Sequence, residues 1–153
     1  MDREYIIDAL NDLIETSKDG EYSFRTSAEH LRDPELKQLF TRRADDCEQA
    51  AAELQRLVVE QGGTAEDSGT AAGAVHRGWV AIKSKLTSYT DKAILEETER
   101  REDIALKRYR KVLDEALPDA VRSVVERQFE GVKRNHMEVR GLRDQAGADE
   151  ATH

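Results

Sequence analysis

The sequence predicts an all-α protein built as a bundle of four long helices, and three observations carry that prediction. Charged residues make up 37 % of the 153 residues and aromatics only 5 %, a balance that suits long helices with solvated outer faces. Only two prolines interrupt the chain. Apolar residues recur at intervals of three and four through four separate segments, and no segment alternates with the period of two that a half-buried strand needs.

The first segment runs from about Arg3 to Leu31, with a stripe through Ile6, Leu10, Ile14, Ser17, Glu21, Phe24 and Ala28. "RDPE" punctuates it: Asp33 can cap a new helix that has Pro34 at its first position. The second runs from about Pro34 to Glu60, through Phe40, Arg43, Cys47, Leu54 and Val58, and the paired glycines of "QGG" stop it. Residues 62–90 are less regular. Within them Val75, Trp79, Ile82 and Leu86 have helical spacing, which predicts a short helix carrying the only tryptophan. The third long helix spans about Asp91 to Ala116, through Leu95, Thr98, Glu102, Ala105 and Tyr109. The fourth spans about Pro118 to Ala146, through Val121, Val125, Gln128, Val132, His136 and Val139. Residues 1–146 read as one domain, and the tail 147–153 is expected to fray.

Connection lengths order the helices. Helices 1 and 2, and helices 3 and 4, are joined by a few residues each, so both pairs should be antiparallel hairpins. The stretch 62–90 is long enough to return along the whole bundle. Two hairpins joined by one long crossover make the ferritin-like arrangement.

In that topology Glu21 and Glu102 are the anomalies. Each is the one charge near the centre of its own stripe, and a charge facing a core is costly unless it is paired or binds a metal. Counted in helix depth, Arg43 and Cys47 lie level with them, as does His136, while Tyr109 and Gln128 lie one to two turns deeper. Two expectations follow. In one, Glu21, Arg43, Glu102, Tyr109, Gln128 and His136 form a buried polar and ionic cluster that sets helix register. Glu21 then pairs with Arg43, and Glu102 with Arg43, His136 or Lys133. In the other, Glu21, Glu102 and His136 ligate a metal. A di-metal bundle site takes a Glu from each of two helices and Glu-x-x-His from each of the other two. Here Lys133 stands three residues before His136, and the second helix offers only "RRADDCE".

Gly20 should let another helix approach closely. Cys47 reads as a small core residue, His30 as solvated, and His76 as a surface residue of the crossover. No glycine-rich phosphate loop, Gly-x-Ser-x-Gly or zinc spacing is present, and no catalytic residue is assigned. A formal net charge of -8 argues against a nucleic-acid partner, and no apolar run approaches a membrane span. "MDREYIIDAL" does not read as a signal peptide. One cysteine leaves no disulfide framework, so a cytoplasmic location is expected. Val75, Trp79 and Ile82 would suit a homodimer interface.

"NDLIETSKDGEYSF", "DPELKQLFTRRA", "GTAAGAVHRGWVAIKS", "ERREDIALKRYRKVL" and "VERQFEGVKRNH" resemble a bacterial family of small ferritin-like four-helix-bundle proteins classed as a domain of unknown function. The resemblance covers roughly residues 3–145. It implies a ferritin-like fold with no established activity. Ferritin-like relatives store iron, detoxify peroxide or activate oxygen at a di-metal site, and Glu21, Glu102 and His136 are the positions here that match such ligands. The expected function is therefore a non-catalytic structural, binding or stress-associated role. The alternative is an iron- or other divalent-metal-binding protein of ferroxidase or oxidoreductase type, with Tyr109 as a redox neighbour.

Overall fold

Asp33 and Asp91 bring three helix ends together. A computed structural model describes residues 3–65 and 89–151, with side chains as far as Ala146. The described residues form four helices, α1 (Arg3–His30), α2 (Pro34–Glu60), α3 (Asp91–Leu113) and α4 (Asp119–Ala151), and no strand occurs among them. Asp33 is the N-cap of α2: its Oδ1 accepts from Glu35 N at 2.9 Å, with Pro34 next in line. Asp91, the first residue of α3, accepts through its carboxylate from Arg32 N at 2.9 Å and Asp33 N at 3.0 Å. The start of α3 is thereby tied to the α1–α2 turn, and α2 and α3 begin at the same end.

The far end is as well defined. Gly62 has φ 83°, the left-handed conformation that glycine adopts without a Cβ penalty. Gly62 N donates to Val59 O and Gly63 N to Val58 O, both at 2.9 Å, which closes α2 with the paired bonds of a Schellman motif. Back at the Asp33 end, Thr90 caps α3 through Ala93 N at 3.1 Å; the remaining ties are at the Gly62 end. The Arg122 guanidinium donates to the Leu113 and Glu115 carbonyls and so closes the α3–α4 turn. Tyr5 donates to Glu115, joining the start of α1 to the end of α3.

The hairpins meet chiefly through α1 and α3, and the apolar core is divided in two. Ile6, Leu10, Leu13, Leu54, Val58, Val112 and Val121 fill the end near the Gly62 turn. Phe24, Leu31, Phe40, Ile94, Leu95 and Val139 fill the end near Asp33, with Phe24 and Phe40 packed edge to face at 5.3 Å. Between these two cores the bundle is polar.

Helix boundaries depart from expectation at the chain's end. The backbone of α4 is helical to Ala151, five residues past the Ala146 end read from the sequence. No described helix is long and apolar enough to cross a membrane. The predicted crossover helix with Val75, Trp79, Ile82 and Leu86, the dimer face built on it, and His76 all lie outside the described residues.

Candidate functional site

At mid-height α1 presents small side chains: Thr16, Ser17, Gly20 and Ser23. Thr16 returns its hydroxyl to Asp12 O at 2.9 Å, the usual helix back-bond of a threonine. A Cβ built on Gly20 would sit 3.0 Å from Cys47 Sγ, so the missing side chain is what lets α2 come so near. The opposite hairpin is also lightly furnished here, with Ala105 on α3 and Gly131 on α4. Small residues on facing helices leave space, and a cavity of about 830 Å³ opens between the hairpins.

Two ion pairs cross from α2 to α4 at the ends of this cavity. Arg43 pairs with Glu138, and also reaches Asp46 at 3.4 Å. Glu53 pairs with Arg127 and accepts from Gln128 Nε2 at 2.8 Å. Gln128 Oε1 in turn accepts from the Tyr109 hydroxyl at 2.8 Å, so one polar chain links α3, α4 and α2. Along α2 the two ion pairs are ten residues apart, Arg43 to Glu53, or about 15 Å of helix. Ala50 and Gly131 stand between them.

Glu102 forms part of the cavity wall. It is 6 % exposed, and its Oε1 is buried with no hydrogen-bond partner. Burial pushes its acid up to about 8; Arg43 opposes that rise, while Asp103, Glu99 and Glu138 add to it. Cys47 is pushed up to about 12, first by burial and then by Glu102, Asp46 and Glu21. It is therefore a thiol and not a thiolate near neutral pH, which removes it as a nucleophile. Burial also raises Tyr109 to about 12, against a hydrogen bond from Ser17.

The six residues of the expected polar cluster do not form one network. Arg43, Glu102, Tyr109 and Gln128 line the cavity. Glu21 is on the flank of α1, its side chain 29 % exposed, and it pairs with Arg25 at 3.1 Å, not with Arg43. Arg25 continues to Asp45 at 3.1 Å and Glu48 at 2.9 Å. The reason is register: the buried face of α1 passes through Ser17, Ser23, Phe24 and Ser27, leaving Glu21 beside it. His136 is buried, and its Nε2 lies 2.6 Å from Asp103 Oδ1, off the direction a ring N–H needs for a hydrogen bond. None of the partners expected for Glu102 pairs with it. Arg43 is turned to Glu138 and Asp46. Lys133 pairs with Glu130 at 2.9 Å and covers the Phe129 ring at 4.9 Å.

Among the described residues no three His, Cys, Asp or Glu side chains converge as metal ligands. Glu21, Glu102 and His136 face three different surroundings, so the di-metal set implied by a ferritin-like resemblance does not fit them. Sequence reasoning missed Glu53, Glu138 and Asp103, whose positions read as ordinary solvated helix faces.

A family model described as a domain of unknown function, DUF2383, matches residues 5–115. The chain belongs to the DUF2383 family. The DUF2383 match takes in Gly20, Arg43, Cys47, Glu53, Glu102 and Tyr109, and stops before α4. Comparison with curated proteins gives no match.

Proposed function

We propose that this DUF2383 chain is a ferritin-like bundle with a binding role rather than a catalytic one, and that it holds a small molecule between its hairpins. The cavity of about 830 Å³ carries this reading. It falls within the size range of small-molecule sites, about 300–1,000 Å³, and it contains an unpaired buried carboxyl. Two hairpins with α2 and α3 beginning at the same end support the ferritin-like assignment. Among the described residues, the side chains of the wall with nucleophilic or acid–base chemistry are held back from turnover. The thiol is un-ionised, and the tyrosine is engaged with Gln128.

The test is titration with the neutral fluorophore N-phenyl-1-naphthylamine. Saturable emission at about one dye per chain is expected in the wild type. Gly131→Leu should abolish it: a Cβ there meets only Arg134 Nη2 at 3.7 Å, so the helix can accept a side chain that fills the space. No saturable emission, or equal emission from a folded Gly131→Leu, would reject the binding role.

A further inference from the structure

Among the described residues the cavity wall carries one acid, Glu102, with no ion-pair or hydrogen-bond partner. Glu102 is buried with an unsatisfied oxygen. Of the other wall arginines, Arg56, Arg108, Arg127 and Arg134 are exposed residues; Arg108 donates to Thr16 Oγ1 at 3.1 Å and Arg127 pairs with Glu53. Arg43 is shared between Glu138 and Asp46 and makes no ion pair with Glu102. Arg101 is directed to Asp19 and Glu97. Glu102 is thereby left buried in the wall with no cation paired to it. An anion placed beside Glu102 would meet its carboxyl, while the two half-buried guanidiniums of the wall, Arg43 and Arg101, already face Glu138, Asp46, Asp19 and Glu97. A cation would give Glu102 the partner that a buried carboxylate requires. The same wall also supplies apolar and neutral groups: Phe24, Ala105, Val132, the Tyr109 ring, and the hydroxyls of Ser17 and Thr98. Those hydroxyls can accept the remaining N–H groups of an ammonium.

We propose that the ligand is an organic cation, an ammonium group on an apolar body, with Glu102 as its counter-ion. This rests on the cavity being a binding site. It adds the chemical class and the residue that selects it.

Three probes of one shape test it: 4-phenylbutylamine, 4-phenylbutan-1-ol and 4-phenylbutyrate, titrated by calorimetry at pH 8 into wild type, Glu102→Gln and Gly131→Leu. The amine should bind at least tenfold tighter than the alcohol and the carboxylate weakest. Glu102→Gln should remove the amine's advantage while keeping the alcohol's affinity within about threefold, which also shows that the variant is folded. Gly131→Leu should weaken all three. Equal binding of the three probes, or a carboxylate preference, with loss in Gly131→Leu, would overturn the cation assignment and leave the binding role intact. Absence of binding by every probe would overturn both.

Discussion

Arg43 and Glu102 both line the mid-bundle cavity, and they do not pair. The guanidinium turns outward to Glu138 and Asp46, while the carboxyl stays buried with Oε1 unsatisfied. A buried acid left without its cation takes the neutral form. Glu102, raised from 4.5 to about 8, does so through neutral pH.

This has a consequence for stability. Between pH 4.5 and 8 the unfolded chain has Glu102 ionised while the folded chain keeps it protonated. The unfolded state then binds fewer protons, so this group lowers stability as pH rises, by at most about 1.4 kcal/mol per pH unit. The loss begins near pH 4.5 and levels off above 8. Urea unfolding of wild type and Glu102→Gln from pH 5 to 9 should show the variant gaining relative stability up to about pH 8. A pH-independent difference would mean that Glu102 is ionised in the fold.

Cys47 should react slowly. With its thiol raised to about 12, the thiolate fraction at pH 8 falls about a thousandfold below that of an ordinary cysteine. Greater nucleophilicity of the rarer thiolate offsets part of this. Iodoacetamide alkylation of the native protein at pH 8 should be about thirtyfold or more slower than of the urea-unfolded chain. Comparable rates would show an exposed, ionised sulfur.

The Tyr109–Gln128 hydrogen bond at 2.8 Å joins α3 to α4 in the interior. Tyr109→Phe should cost about 1 kcal/mol. In a double-mutant cycle with Gln128→Leu, the two costs should fail to add by about 0.5–1 kcal/mol. Simple additivity would mean that the bond contributes nothing net.

Glu21→Gln should cost less than about 1 kcal/mol, because its pair with Arg25 is partly solvated and lies within one helix. The same variant tests the metal reading. After anaerobic Fe(II) loading and desalting, mass spectrometry should find no iron in the wild type that Glu21→Gln removes. Stoichiometric iron lost in the variant would bring Glu21 back as a ligand.

Gly20 and Cys47 provide a packing test. An alanine at 20 gains up to about 1 kcal/mol of helix propensity but presses on Cys47 Sγ at 3.0 Å. Gly20→Ala should therefore stabilise more in a Cys47→Ala background than in the wild type, by thermal melting. An equal effect in both would remove the contact from consideration.

The sequence by itself determined the four helices, because each carries its own 3.6-residue periodicity and its own stop signals. Asp33–Pro34 and Gly62–Gly63 act within a few residues of chain and need no distant partner. The inner position of Glu102 was legible for the same reason: Ile94, Leu95 and Thr98 on one side and Ala105 and Tyr109 on the other define its stripe. Glu21 misled because Thr16, Ser17, Gly20 and Ser23 carry no strong hydrophobic signal, so the true inner face of α1 was hidden there and the stripe was drawn one residue off. Tertiary structure alone decided which charges meet. Arg43 with Glu138, Glu53 with Arg127, and His136 beside Asp103 are all contacts between helices. Such a choice depends on axial register and helix rotation to within a few ångströms, less than the uncertainty of counting residues from a turn. The cavity is of the same kind, since empty space belongs to no residue and exists only once two sets of small side chains are placed face to face.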